Sequence, residues 1–214
     1  DGSMEPETEF INSLDALDVS SLYGYLVHDA GMLLSQDLVG GGDALYRKLC
    51  SLREQGLVRK IGVSVYRPDE LVALTARYDL DLVQLPCNAI DKRWEEPGLV
   101  EKIHQSGVEV HVRSVFLQGL LVMPREQISA YFDPWASLLA QWHEWCSRKN
   151  VTPVEACLGA LSGKEWISKL VVGVTSTAQL DELAAATKTI IDDVSDIPQT
   201  NDEDLLNPAR WQND

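Results

Sequence analysis

Five short runs of Val, Ile and Leu, each set apart from the next by a stretch of helical periodicity, constrain this chain most. The runs are Leu22–Val27, Ile61–Ser64, Leu80–Leu85, Val108–Val115 and Leu170–Val172. Short apolar strands that alternate with helices are the signature of βα units on a parallel sheet whose faces are both covered. The expected fold class is α/β.

The intervening helices carry their own start and stop signals. From Phe10 onward, Ile11, Leu14 and Leu17 recur at helical spacing. A helix over about Asp43–Gln55 takes Asp43 as N-cap, turns Leu45, Leu49 and Leu52 to one face and closes at Gly56. Pro68 opens the helix that carries Leu71, Val72 and Leu74, and Leu99–Gln105 gives a short helix closed by Gly107. Asp133-Pro134 starts a helix with Trp135, Leu138, Leu139 and Trp142 on one stripe. Thr152-Pro-Val-Glu155 is a capping box for a helix reaching about Leu161. Ser176-Thr-Ala-Gln179 caps the closing helix, whose expected inner face is Leu180, Leu183, Ala184 and Ile190.

Composition narrows the function classes. With 214 residues, 45% of them hydrophobic, the chain can bury a core, and the pattern describes one domain. The net charge of −15 and the lack of a basic stripe argue against nucleic acid. No apolar run of about 18 residues suggests a membrane span. The acidic ends, Glu5–Glu9 and Asp192–Asp204, read as solvated surface, and Gly2-Ser3-Met4 looks like a vector scar in a flexible leader. Cys50, Cys87, Cys146 and Cys157 lie in apolar segments without CxxC spacing, which fits reduced core thiols in a cytoplasmic protein. His104 and His143 read as surface or boundary residues. His111 shares a strand face with Glu109 and Arg113, a polar packing layer rather than a metal site. Trp135, Trp142 and Trp145 read as packing.

The first apolar run ends abruptly at His28. In α/β barrels the chemistry sits at the carboxyl ends of the strands, so His28 is a candidate active-site residue. A closed barrel needs eight strands, and this pattern supplies five. Three arrangements stay open. The chain is a fragment of a longer barrel; or a second copy covers its edges by pairing or swapping, giving a homo-oligomer; or it folds as an open sheet and serves as a non-catalytic module.

Five segments in order carry a more specific likeness: Leu26-Val-His28, Gly56-Leu-Val-Arg-Lys-Ile-Gly-Val-Ser64, Val83-Gln-Leu-Pro-Cys-Asn88, Val110-His-Val-Arg-Ser-Val-Phe-Leu-Gln-Gly-Leu-Leu121 and Val172-Gly-Val-Thr-Ser-Thr-Ala-Gln179. With Leu205-Leu-Asn-Pro-Ala-Arg-Trp211 at the end, the chain resembles aldo-keto reductases over roughly residues 10 to 211, including bacterial members of sugar and surface-polysaccharide pathways. The resemblance implies a partial (β/α)8 TIM barrel that lacks the first three βα units. On that reading residues 1–9 are a leader, 10–198 the barrel segment and 199–214 a tail. The implied activity moves a hydride between a nicotinamide cofactor, NADP or NAD, and a small or sugar-like carbonyl substrate.

The family's catalytic set is an Asp, a Tyr, a Lys and a His. His28 matches the histidine that orients and polarises the carbonyl. The other three come from segments upstream of its strand, and neither Tyr23 nor Tyr25, inside that strand, matches the family tyrosine. This polypeptide is therefore expected to be truncated and inactive by itself. Ser64 and Gln84 match carboxamide-binding positions, with Val65 where an Asn is common; a satisfied buried amide would also explain Gln84. Arg113 matches a position under the nicotinamide ring, and Ser114, Phe116 and Gly119 match the loop around the pyrophosphate. Gly173 opens a strand-to-helix phosphate cradle, and Gln179 and Glu182 match adenosine contacts, although capping alone would account for Gln179. Gly173 and Gln179 stand where NADPH-specific relatives carry Lys and Arg, and Leu183 where they carry Asn. The choice between NADP and NAD stays open.

Overall fold

The computed structural model describes residues 6–35, 41–191 and 193–211. Helix α1 (Pro6–Leu17) precedes strand β1 (Leu22–Val27). Helices α2 (Ala30–Leu34) and α3 (Gly41–Glu54) lead to β2 (Val58–Ser64), α4 (Pro68–Arg77) to β3 (Leu82–Pro86), and α5 (Pro97–Ser106) to β4 (Glu109–Arg113). Two 3₁₀ turns, Arg125–Gln127 and Ala130–Trp135, come before α6 (Ala136–Lys149) and α7 (Pro153–Ser162). Strand β5 (Lys169–Leu170), α8 (Thr177–Ala186), α9 (Glu203–Leu206) and a last 3₁₀ turn, Pro208–Arg210, complete the order. The five strands form one sheet in sequential order, β1-β2-β3-β4-β5. Pairing is parallel at β1–β2, β2–β3 and β4–β5. The fold is α/β.

Several boundaries differ from the sequence reading, each for a local reason. Helix α1 starts at Pro6, ahead of Phe10. Asp43 lies inside the first turn of α3 rather than capping it. Its carboxylate instead accepts from the Tyr78 hydroxyl and the Arg77 guanidinium, both at 2.8 Å, bonds that hold its pKa down. Strand β3 begins after Asp81, whose carboxylate accepts from the Ile61 amide at 2.9 Å and pairs with Arg53 at 2.7 Å. Strand β4 stops at Arg113 because Ser114 enters the left-handed region at φ 60°. Pro134 sits in the 3₁₀ turn, and the regular helix starts only at Ala136. The inner face proposed for α8 is the clearest miss: the helix ends at Ala186, Leu180 is 53% exposed and Ile190 84%. The scar-like Gly2-Ser3-Met4 lies outside the described residues.

The described residues divide into two compact units, one reaching Leu85 and including Glu101–Val110, the other made of Pro86–Val100 and the residues from His111 onward. In the first, α3 buries Leu45, Leu49 and Leu52, as its spacing predicts. Each buried leucine contributes about 1.5–3 kcal/mol. Phe10 is fully buried, with its ring edge-on to Tyr25 at 5.0 Å. Gly62, in the middle of β2, is paired in register with Leu82. A methyl group there would fall 1.8 Å from the Leu82 carbonyl oxygen, so this close approach admits glycine alone.

In the second unit Trp142 and Trp145 stack at 5.9 Å with their rings 7° apart. Trp142 donates its indole N–H to the Leu121 carbonyl at 2.8 Å, and Trp145 donates to Asp196 at 2.7 Å. Trp135, on the same stripe, is half-buried and donates to Asp202 at 2.8 Å. The C-terminal segment packs into this unit. Thr200 pairs with the loop after β3 through Lys92 N to Thr200 O at 2.9 Å and Thr200 N to Ile90 O at 2.8 Å. Leu205 and Leu206 are buried. Beside them, Asp91 is buried and paired with Arg93 at 2.8 Å. The acidic stretch expected to be merely solvated is exposed but paired: Asp196 contacts Arg148 at 2.6 Å, and Asp193 contacts Lys149 at 3.4 Å. Cys87, Cys146 and Cys157 are buried free thiols, whereas Cys50 is only half-buried. No described helix is long and apolar enough to cross a membrane.

Candidate functional site

The first group of candidates lies at the carboxyl ends of β1, β2 and β3. Register between β1 and β2 ends at Val27–Val63, so His28 follows at the level of Ser64. Ser64 is in turn the register partner of Gln84, and the Val65 amide donates to the Gln84 carbonyl at 2.9 Å. His28 is exposed, Ser64 is 7% exposed and Gln84 half-buried. Among the described residues, neither Ser64 Oγ nor the Gln84 amide bonds to the protein. The amide is therefore not satisfied from within the core, and the pair presents donors and acceptors that an outside carboxamide can use.

The second group encloses a cavity of about 470 Å³ within the second unit. Ser114, Phe116, Gly119, Gly173, Gln179 and Glu182 all line it. Its floor is the segment just after β5, Val171 and Val172, whose path is fixed by the Val171 amide donating to the Val112 carbonyl at 2.7 Å. One wall is the loop after β4, which folds back on itself through Leu117 N to Ser114 O and Gly119 N to Phe116 O, both 2.9 Å. Four of its residues hold positive φ: Ser114 at 60°, Leu117 at 47°, Gln118 at 54° and Gly119 at 89°. The three that are not glycine cost about 1–2 kcal/mol each. Strain of this kind concentrates at ligand clamps and active sites.

The opposite wall is the amino-terminal end of α8. Ser176 Oγ accepts from the Gln179 amide at 3.2 Å, which completes half of the expected capping box. The other half is displaced by one residue: Gln179 Oε1 accepts from the Thr175 amide at 2.8 Å and from its hydroxyl at 3.1 Å. Those bonds use Oε1 alone, and Gln179 still lines the cavity. Gly119 and Gly173 have open space where a Cβ would be, so the backbone is approachable there. Arg113 ends β4 outside the lining, with its guanidinium Nη1 3.5 Å from Ser114 Oγ.

The sequence reading missed a polar cluster at the opposite end of the strands. The Tyr23 hydroxyl donates to Glu109 at 2.7 Å, Lys60 pairs with the same carboxylate, and the Lys60 ammonium lies 5.5 Å from the Tyr23 ring centre. The bond to Glu109 raises the Lys60 pKa. A tyrosine, a lysine and a carboxylate do meet in this chain. Tyr23, however, is five residues before His28 on β1, roughly 16 Å at strand rise. The cluster cannot share a substrate with that histidine. His111, one of the residues read as a polar layer, is half-buried on β4, and His104 is exposed on α5. Among the described residues no group of His, Cys, Asp and Glu could hold a metal.

A model of the aldo/keto reductase family matches residues 5–201. The chain belongs to this family. Solved aldo-keto reductase structures share its fold. One from Bacillus halodurans, in its holo form, superposes with a TM-score of 0.69 at 18% identity, covering 95% of this chain and 69% of that one. Its apo form gives 0.71 at 18% identity, with 96% and 71% covered. The glycerol dehydrogenase of Gluconobacter oxydans gives 0.59 at 17% identity, with 87% of this chain and 65% of that one covered. No match to a curated protein reaches significance. Membership of the aldo/keto reductases makes the chain a relative of oxidoreductases that use NAD(P)H.

Proposed function

We propose that this chain supplies the cofactor-binding part of a nicotinamide-dependent aldo-keto reductase that acts on a small or sugar-like carbonyl. One observation carries the reading: six residues expected to hold the cofactor, drawn from two separate sequence segments, line one cavity. The residues fit such a group. The strained Ser114–Gly119 loop and the α8 amino terminus offer backbone N–H groups and approachable glycine backbone to a pyrophosphate. Ser64 and Gln84, side by side with open polar atoms, are assigned to the carboxamide, and Arg113 to the neighbourhood of the ring. A bound nicotinamide cofactor supplies the hydride in this family. His28 polarises and orients the carbonyl from the end of β1.

Of the residues matched to the family at that end, His28, Ser64 and Gln84, none is the family's proton-donating tyrosine. Tyr23 and Lys60 are committed to Glu109 at the other end of their strands. On this reading the five βα units form part of a (β/α)8 barrel, and the Asp, Tyr and Lys of the family set belong to units that these residues do not include. That same observation supports a second reading, a catalytically silent module that keeps the cofactor cavity. Val174, Leu180 and Ile190 are exposed in the second unit, which favours a homo-oligomer that covers them. Buried free thiols suit a cytoplasmic location.

Titrating the full chain with NAD⁺, NADH, NADP⁺ and NADPH, read by calorimetry and by tryptophan fluorescence, tests cofactor binding. An assay of NAD(P)H-dependent reduction of simple aldehydes separates the two readings. Binding without turnover is the expected result; robust turnover would overturn the assignment of the missing proton donor.

A further inference from the structure

The strained loop after β4 is held from behind by α6. Turn bonds within the loop set its path, among them Leu120 N to Leu117 O at 3.0 Å and Val122 N to Gly119 O at 3.1 Å. Bonds of this kind form equally well in relaxed turns, and nothing in them demands that Leu117 and Gln118 stay at positive φ. Such a conformation persists where the surroundings over-determine it. Here the far end of the loop is tied down. Leu121 is fully buried, and its carbonyl accepts from the Trp142 indole at 2.8 Å. Trp142 is itself fully buried and lies outside the cavity lining. Further along α6, Trp145 backs it with a near-parallel ring at 5.9 Å and is anchored to Asp196 at 2.7 Å.

We infer that Trp142 is a positioning residue of the cavity, setting ligand affinity by holding the loop from Ser114 to Leu121 in its strained form. The inference rests on the cofactor reading given above. Without the indole N–H, the Leu121 carbonyl stays buried without that donor, and the loop gains by turning it towards water. The residues held at positive φ then relax, and the backbone N–H groups offered to a pyrophosphate lose their common aim. Binding has to restore the loop, and affinity falls by the cost of doing so.

Trp142→Phe and Trp145→Phe in the full chain test this. Each removes one indole from the same stack, but the first loses the bond to the loop and the second the bond to Asp196. Calorimetric titration with NAD⁺ and NADP⁺ should show affinity about tenfold lower in Trp142→Phe and close to that of the unmodified chain in Trp145→Phe. Without ligand, the amides of Gly119 and Val122 should exchange hydrogen faster in Trp142→Phe alone, while that of Leu180 in α8 keeps its rate. In the unmodified chain, saturation with the dinucleotide that binds should shift the NMR signal of the Trp142 indole N–H more than that of Trp145, an arm that needs no variant to fold. Equal losses of affinity in the two variants, unchanged loop exchange, or a Trp142 signal no more moved than that of Trp145 overturns the inference. Binding of neither dinucleotide by the unmodified chain overturns the cofactor reading, and the exchange comparison then decides by itself whether Trp142 holds the loop.

Discussion

Gly62 marks the closest approach of two strands, and it has no substitute. Gly62→Ala would drive a methyl group into the Leu82 carbonyl, and we expect a loss of about 3 kcal/mol in denaturant-induced unfolding. A second buried commitment is the Asp91–Arg93 pair, with side chains 1% and 9% exposed. Burial pushes the Asp91 carboxyl up, and the Arg93 guanidinium pulls it back. Arg93→Leu leaves that carboxylate buried without a partner and should cost about 3–5 kcal/mol. Adding Asp91→Asn should recover part of the loss, measured as a shift in Tm. Asp193 titrates differently. Its pKa is lowered to about 2, first by the Ser195 hydroxyl, then by the Ser195 amide and Lys149. A depressed carboxyl contributes stability above its unfolded pKa of about 3.9, and the contribution vanishes as the pH falls through the folded value. Asp193→Asn should therefore flatten the acid limb of a circular-dichroism titration between about pH 4 and pH 2.

Elements differ in how much of their structure a local sequence dictates. The box at Thr152 formed as its spelling required: Thr152 Oγ1 accepts from the Glu155 amide at 3.2 Å, and Glu155 accepts from the Thr152 amide at 2.7 Å. Thr152→Ala should cost about 1 kcal/mol of thermal stability. Strand β1 and the buried face of α3 were equally legible, the strand from its short apolar run and the helix from apolar spacing and a closing glycine. Helix α8 was not. Its leucines satisfy helical periodicity, yet Leu180 is left exposed and Leu183 only half-buried, and periodicity says only which side chains share a face. The loop after β4 was legible in place but not in shape. Gly119 announces a left-handed residue, whereas Leu117 and Gln118 do not, since their conformation is imposed by the turns around them. The Tyr23–Lys60–Glu109 cluster was invisible for another reason: its members lie on three strands, not all adjacent, and only the folded sheet brings them together.

At the scale of the molecule, charge and exposed apolar surface oppose each other. A net −15 keeps copies apart, while the exposed Val174, Leu180 and Ile190 favour burial. Sedimentation equilibrium should show association that strengthens with added salt, as repulsion is screened. Replacing Val174 and Ile190 by Lys should suppress it; a monomer at every salt concentration would remove the homo-oligomer from consideration. The family and the fold were readable from the order of five short segments. The activity was not, because it depends on which side chains meet at which end of the strands, and a linear motif does not encode that.

The pairing of Thr200 with the loop around Asp91 has a consequence in time as well as in space. Everything between those two positions must be synthesised before that loop finds its partner. At roughly 5–20 residues per second, the wait is on the order of 5 to 20 s. During that interval the nascent loop, with the buried Asp91 and Trp94 it will carry, remains open to water, to chaperones and to proteases. The second unit is thus one whose closure waits for a segment far downstream of the loop it covers.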